Sequence, residues 1–181
     1  NTRYVIYNPE QQPLKNPYAF GNAWFVDKLD MVDNADAEIE ALNTIDPLET
    51  AVVDKRFQKE LEGFVPQKDS TATIVLEEYR PNRLTYKSKA DKEQLAVFSE
   101  VYYQPGWKAT VDGKEVPHFR ADWILRGMRV PAGEHTIVFE FRPSGYVTAA
   151  YVSSYSSFLI LLLLIAAIGW SGWKYWKKSK N

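Results

Sequence analysis

The stretch "SSFLILLLLIAAIGWSGWKYWKK", residues 156–178, limits the fold of this chain more than any other part of it. Every residue from Phe158 to Trp170 is apolar or Gly, and no charge falls between Gly145 and Trp173. At about 1.5 Å per residue, residues 158–170 extend only roughly 20 Å, but residues 152–173 reach roughly 33 Å, enough for a hydrocarbon slab of about 30 Å. Ser153, Ser154, Ser156 and Ser157 make the outer part mildly polar. Their hydroxyls can bond back to helix carbonyls, so the span survives them. Tyr151 and Tyr155 on one side, and Trp170, Trp173, Tyr175 and Trp176 on the other, suit the two aromatic belts of a bilayer. A buried core helix seldom closes on such a belt followed by lysines.

Charge sets the expected direction of the span. The 181 residues hold 22 basic and 23 acidic side chains, yet no acid lies beyond Glu140, while Lys174, Lys177, Lys178 and Lys180 close the chain. Basic residues after the span, against a lone Arg142 before it, place the tail in the cytoplasm by the positive-inside rule. The expected organisation is an extracytoplasmic domain over 1–145, a membrane helix with interfacial flanks over 146–176, and a cytoplasmic basic tail over 177–181. That topology needs an upstream membrane segment to begin translocation. With Asn1 at its start and no leader pattern, the chain is expected to be the C-terminal part of a multi-span protein.

Ahead of the span the pattern is mostly strand and turn. "RYVIY" (3–7) is expected as a strand ending at Asn8-Pro9, and "AWFVDKLDMV" (23–32) as a strand apolar on both parities. "DNADAEIEALNTIDP" is the clearest helix: Asn34 can cap it, Asp36 and Glu38 favour its N-terminal end, and Ala35, Ile39 and Leu42 form a stripe. "TAVVDK" (50–55) returns to strand. From residue 71, strands alternate with turns: Leu84 and Tyr86 against charged neighbours, then Trp107, Ala109 and Val111 leading into Asp112-Gly113, a two-residue hairpin turn. "DWILRGMRV", Pro131-Ala132-Gly133 and the alternating "HTIVFEFR" complete the series. The expected fold is mostly β, an antiparallel β-sandwich of jelly-roll type with one or two short helices, followed by one transmembrane α-helix.

The chemistry available to such a domain is narrow. An acidic body offers no clustered basic face, so nucleic acid is not an expected partner. The absence of cysteine removes disulfides, thiolate catalysis and zinc-thiolate sites. His118 and His135 lack further ligands at any metal spacing, and Asp112 is better explained by its turn, so no metal, cofactor or catalytic residue is expected. Aromatic side chains are more suggestive. Tyr103, Trp107 and Trp123, with Arg126 nearby, are candidate glycan-binding residues, because a flat apolar ring with a polar rim suits a sugar; the competing role for such rings is core packing.

Several phrases together resemble the C-terminal region of the YfhO family of bacterial membrane proteins: "NPYAFGNAWFV" (16–26), "DNADAEIEALNTIDPLETAVV" (33–53), "YRPNRLTYKSKAD" (79–91), "VYYQPGWKATVDGKEVPHFRADWILRGMRVPAGEHTIVFEFRP" (101–143), and the closing span. The resemblance implies a large glycosyltransferase of GT-C type in the cell envelope, with many membrane helices, a polyprenyl-phosphate-linked sugar as donor and an exported domain before the last helix. It also implies that the catalytic carboxylates lie near N-terminal helices, outside this chain. The expected function is therefore a non-catalytic extracytoplasmic module that assists acceptor or glycan handling at the membrane surface. Its expected partners are the membrane, the upstream multi-span part, and cell-envelope glycan or lipid-linked sugar. A carbohydrate-binding module built around Tyr103, Trp107 and Trp123 and a structural or partner-docking domain are the alternatives.

Overall fold

A computed structural model describes residues 2–179 as two compact units, Asn1–Phe141 and Arg142–Asn181. The first is β-rich and the second is helical. In chain order the first contains β1 (Tyr4–Val5), β2 (Leu14–Lys15), β3 (Ala23–Val26), β4 (Lys28–Val32), α1 (Ala35–Ala41) and β5 (Thr50–Asp54), followed by a 3-10 turn (Lys55–Leu61). The series β6 (Thr73–Arg80), β7 (Arg83–Ala90), β8 (Gln94–Val101), β9 (Trp107–Val111), β10 (Lys114–Val116), β11 (Phe119–Ala121), β12 (Leu125–Val130) and β13 (Gly133–Phe141) completes it. The second unit is α2 (Ser144–Ser179) with its short lead-in.

Two antiparallel sheets form the sandwich. One has the order β10-β9-β13-β7-β6 and the other β11-β12-β8-β3. The expected alternation is realised: Leu84, Tyr86, Ala109, Val111, Ile137 and Phe139 from the first sheet meet Ala96, Phe98, Met128 and Val130 from the second. At the centre, the rings of Tyr86, Phe98 and Phe139 stand edge to face with centroids 4.9 to 6.2 Å apart, the favoured geometry for aromatic quadrupoles. Asp112 and Gly113 turn β9 into β10 with φ values of 51° and 81°. Asp and Gly tolerate that left-handed region and thereby match the twist of the strands. Gly127 on β12 is required differently, because a Cβ there would lie 2.4 Å from the ring of Phe119, its cross-strand partner.

The second sheet is covered on its other face as well. Leu95 and Val97 of β8 join Trp24, Val26, Ala51, Val53, Leu61, Phe64, Phe119 and Ala121 in a second core. Its outer wall is β4 and β5, a parallel pair joined through α1. Two expectations are corrected here. Residues 23–32 make two strands in different sheets, because the N–H groups of Asp27 and Lys28 both donate to the Glu49 carbonyl, at 3.0 and 2.9 Å, and draw the chain over to β5. The strand expected at 3–7 is only the short β1, paired with β2.

The helix stripe is also corrected. Asn34 does cap α1, its Oδ1 accepting from the Ala37 N–H at 2.9 Å, but Ile39 faces outward and Glu38 is fully buried. Arg120 on β11 explains the inversion. Its Nε and Nη2 donate to Glu38 Oε2 at 3.1 and 2.5 Å, while the Trp123 N–H donates to Oε1 at 3.1 Å. Arg120 Nη2 also lies 3.5 Å from Asp54 Oδ2, and Asp54 is held by Arg56 at 2.7 Å. Beside this cluster, Asp122 exchanges hydrogen bonds with Val52: its Oδ1 accepts from the Val52 N–H at 2.9 Å, and its own N–H donates to the Val52 carbonyl at 2.8 Å. The outer layer is thus fastened to β11 and the turn after it by charge as well as by apolar burial.

The sandwich has two distinct ends. β13 finishes at Phe141, opposite Trp107 at the start of β9, and the Phe141 N–H donates to the Asn82 carbonyl in the β6–β7 turn at 2.9 Å. Val101 at the end of β8 pairs with Leu125 at the start of β12, which puts the loops 81–82, 102–106 and 122–124 at this same end. The opposite end holds the β7–β8 loop, the Asp112-Gly113 turn and the β12–β13 turn, as the pairings of Gly133 with Ala90 and Val130 with Gln94 require.

α2 is one continuous helix, and a span apolar and long enough to cross a membrane runs from Thr148 to Ser179. None of that span is buried. Ser154 and Ser156 return their hydroxyls to the carbonyls of Ala150 and Val152 at 2.9 and 2.8 Å, so the polar outer part costs the helix no unsatisfied group there. Lys174 and Lys177 rest over the rings of Trp170 and Trp173 at 5.9 and 5.5 Å. Lys180 lies outside the described residues.

Burial raises the Asp122 carboxyl to about 6, against the Val52 hydrogen bond and with help from the Glu38 charge. The folded state therefore holds this proton more tightly than the unfolded chain. Stability from this group grows as pH falls through about 6 toward 3.8, and the buried charge is a cost at neutral pH. Asp122→Asn keeps the acceptor for Val52 and suits the φ of 49° at this position. In denaturant melts of the full chain in detergent it is expected to be more stable than wild type at neutral pH, by of the order of 2 kcal/mol. That advantage should shrink below pH 6; a pH-independent difference would contradict the assigned charge state.

Candidate binding groove

Arg126 and Trp107 meet. The indole opens β9 and the guanidinium arises from β12, in the facing sheet, with its centre 4.1 Å from the centroid of the Trp107 ring. Arg126 is 2% exposed, donates Nε to the Val101 carbonyl at 3.0 Å, and also lies 5.2 Å from the Phe139 ring. Desolvation lowers its pKa, with Glu100 and Tyr86 opposing. One face of Trp107 is therefore packed against Arg126, and Phe141 lies 5.3 Å away at a tilt. Arg126 supports the ring from inside the protein.

Outside that pair lies a groove of about 420 Å³ lined by Glu60, Gln104, Trp107, Lys108, Ala109, Glu115, Val116, Pro117 and His118. β9 and β10 bring Lys108 and Glu115 together at 3.2 Å on its rim. The 3-10 turn after β5 brings Glu60, whose Oε2 is buried without a protein partner. His118 sits between β10 and β11, its ring edge-on to Tyr102 at 5.6 Å and to Phe139 at 5.7 Å, and its Nε2 is likewise buried and unpartnered. Burial, with a smaller contribution from the Arg126 charge, lowers the His118 pKa to about 4. At neutral pH the imidazole is uncharged, one nitrogen able to accept and the other to donate. Burial raises the Tyr102 hydroxyl, and Glu60 adds to the shift.

This arrangement can hold a ligand rich in hydroxyls. It offers an indole, two carboxylates, the Gln104 amide and a neutral imidazole, the mixture of apolar surface and placed polar groups that fixes orientation in small-molecule sites. Among the described residues no group of three or more His, Cys, Asp or Glu side chains is placed to hold a metal ion. His135 lies apart, bridging Asp112 Oδ2 at 2.6 Å and the Ala132 carbonyl at 3.0 Å, which braces the hairpin turn.

Of the four aromatic and basic residues singled out in the sequence, Trp107 lines the groove and Arg126 backs it. Tyr103 and Trp123 stand on adjoining loops, linked where the Tyr102 N–H donates to the Ile124 carbonyl at 2.7 Å; their side chains are 53% and 41% exposed. Glu60, Gln104, Glu115 and His118 were not expected. No spacing could have found them, because Glu60 precedes His118 by 58 residues and reaches it only through the packing of the outer layer.

A family model described as "Bacterial membrane protein YfhO" matches residues 54–153, more than half of the chain. The match begins at the end of β5, takes in β6 to β13, and runs into the first part of α2. No curated protein and no solved structure matches.

Since the folded state keeps His118 neutral down to about pH 4 while the unfolded chain protonates near 6.5, its contribution is complete above 6.5 and is lost as pH falls between those values. His118→Phe is expected to flatten that part of the acid limb in melts of the full chain. An acid limb identical to wild type would place the imidazole in water.

Proposed function

Because the chain belongs to the YfhO family of bacterial membrane proteins, we propose that residues 1–145 form a non-catalytic extracytoplasmic module of a multi-span glycosyltransferase of GT-C type. The module assists acceptor or glycan handling at the membrane surface, in the bacterial cytoplasmic membrane. The groove beside Trp107 carries this reading, since it is the place where an indole, hydrogen-bonding carboxylates and a neutral imidazole converge. Sugar rings present an apolar face of C–H groups and a rim of hydroxyls, and those groups complement both. The partners are the upstream membrane helices of the same protein and a cell-envelope glycan or lipid-linked sugar.

Residues 146–176 cross the bilayer, with 177–181 in the cytoplasm. The lysines that close the chain support that direction: three of them, Lys174, Lys177 and Lys178, lie in the last turns of α2. The donor chemistry belongs to the parent protein's membrane part, so this module contributes binding and positioning rather than bond making.

Titration of the detergent-solubilised chain with cell-wall glycan and teichoic-acid fragments, followed by NMR, is expected to shift the indole signal of Trp107 and the signals of Gln104 and His118, and Trp107→Ala should abolish the shifts at Gln104 and His118. No shift with any fragment would remove the glycan reading and leave a partner-docking domain. Replacing Lys174, Lys177, Lys178 and Lys180 by Gln should give mixed orientation in a reporter-fusion assay, and an unchanged topology would show that the lysines do not set it.

A further inference from the structure

The two ends of the sandwich differ in chemistry. At the end where β13 finishes, the loops read Pro81-Asn82, "YYQPG" (102–106) and "DWI" (122–124), and their single acid, Asp122, is buried. The opposite loops read "DKE" (91–93), Asp112-Gly113 and Pro131-Ala132. Strand ends carry charge at both ends, Arg80, Arg83, Glu100, Lys108 and Arg142 at the first and Lys89, Lys114 and Glu134 at the second, so the difference lies in the loops themselves. Tyr79, Val101, Tyr103, Trp123 and Ile124 all stand at the β13 end, between 41% and 64% exposed. Val101, Tyr103, Trp123 and Ile124 are drawn together by the pairing of Val101 with Leu125 and the Tyr102–Ile124 hydrogen bond, with Tyr79 at the far edge on β6. Apolar side chains grouped as those four are mark an interaction surface rather than scatter.

Trp123 sharpens the point. It adopts a φ of 69°, strained for a bulky residue, and its N–H is fixed by the buried carboxylate of Glu38. The structure thus holds an exposed indole in a costly conformation. A merely solvated loop would need neither the ring nor the strain.

We propose that this end of the β-rich unit is a lipid-contacting surface, with Tyr79, Tyr103, Trp123 and Ile124 seated in the headgroup region of the bilayer that α2 crosses. Continuity selects lipid as the occupant. Only Arg142 and Pro143 separate β13 from α2, so at about 3.5 Å per residue the tether keeps Phe141 within roughly 10 Å of the first helical turn. Tyr and Trp are the side chains enriched at the membrane–water interface, where an apolar ring with one polar atom is satisfied on both counts. Ile124 and Val101 add aliphatic depth between them. Seating these loops fixes the height and tilt of the unit, which a single helix with a short tether leaves loose. The inference requires α2 in a bilayer and is independent of the glycan reading.

The chain contains no cysteine, so one introduced thiol carries one label. Tyr79→Cys, Tyr103→Cys and Ile124→Cys, each labelled with an environment-sensitive fluorophore, are compared with Lys92→Cys and Lys114→Cys. The full chain is reconstituted in phosphatidylethanolamine–phosphatidylglycerol vesicles containing lipid with a headgroup nitroxide. The first three labels are expected to be quenched at least about twofold more than the last two. Equal quenching at both ends overturns the proposal, as does a label shielded from aqueous iodide yet untouched by the lipid quencher, which would identify a protein occupant. Hydroxyl-radical footprinting of the unsubstituted chain guards against a variant that misfolds. Oxidation of Tyr103 and Trp123 should fall relative to exposed Leu48, which shares a pocket with Gln94 at the opposite end, on transfer from micelles to vesicles; no fall overturns the proposal.

Discussion

β8 is the constraint on which the β-rich unit depends. Leu95, Ala96, Val97 and Phe98 are all fully buried, and they alternate between two cores. A strand that is apolar on both faces cannot be satisfied by one opposing sheet, so a third layer has to exist. The β4–α1–β5 crossover and the 3-10 turn supply it, and a parallel pair needs such a crossover because its ends lie on opposite sides of the sheet. Alternation also locks the register: a one-residue slip of β8 would exchange Phe98 with Val97 between cores already filled.

The third layer is held by a buried ion pair that apolar patterning would never place there. α1 has only seven residues and cannot persist alone, so its position follows from what it binds. Glu38 and Arg120 satisfy each other while the Trp123 N–H takes the remaining oxygen, and the carboxylate is thereby compensated on both sides. Removing Arg120 would leave the fully buried Glu38 carboxylate without its cation, a loss of about 3–5 kcal/mol, whereas the intact pair contributes little net stability. Its contribution is specificity: it fixes which face of α1 turns inward and shapes the turn that presents Trp123. Asp122, one residue away, joins the same layer through the Val52 backbone.

From that arrangement comes a domain with unequal surfaces. Arg126 is withdrawn from solvent to stiffen Trp107, so the groove beside it has a firm wall, while its polar groups come from three separate segments around Glu60, Lys108 and His118. The loops at the end where β13 finishes are aromatic, whereas those at the other end carry the charges of Asp91, Lys92, Glu93 and Asp112.

Much of this was legible in the residues themselves. Length, lack of charge and flanking aromatics were enough to mark the span, because a bilayer imposes a fixed thickness on any chain that crosses it. Period-two alternation marked β7, β9 and β13, and Asp112-Gly113 marked its turn, because both signals are local: one follows from the pleat, the other from a positive φ. Tertiary structure alone decided the break at Asp27, the inward turn of Glu38, the withdrawal of Arg126 and the meeting of Glu60 with His118. Each rests on a partner far along the chain: Glu38 and Arg120 are 82 residues apart, and the stripe of Ala35, Ile39 and Leu42 predicted the opposite face. Helical periodicity reports which side of a segment is greasy, but a desolvated carboxylate and guanidinium outweigh one exposed isoleucine, and only the folded chain brings those two charges within reach.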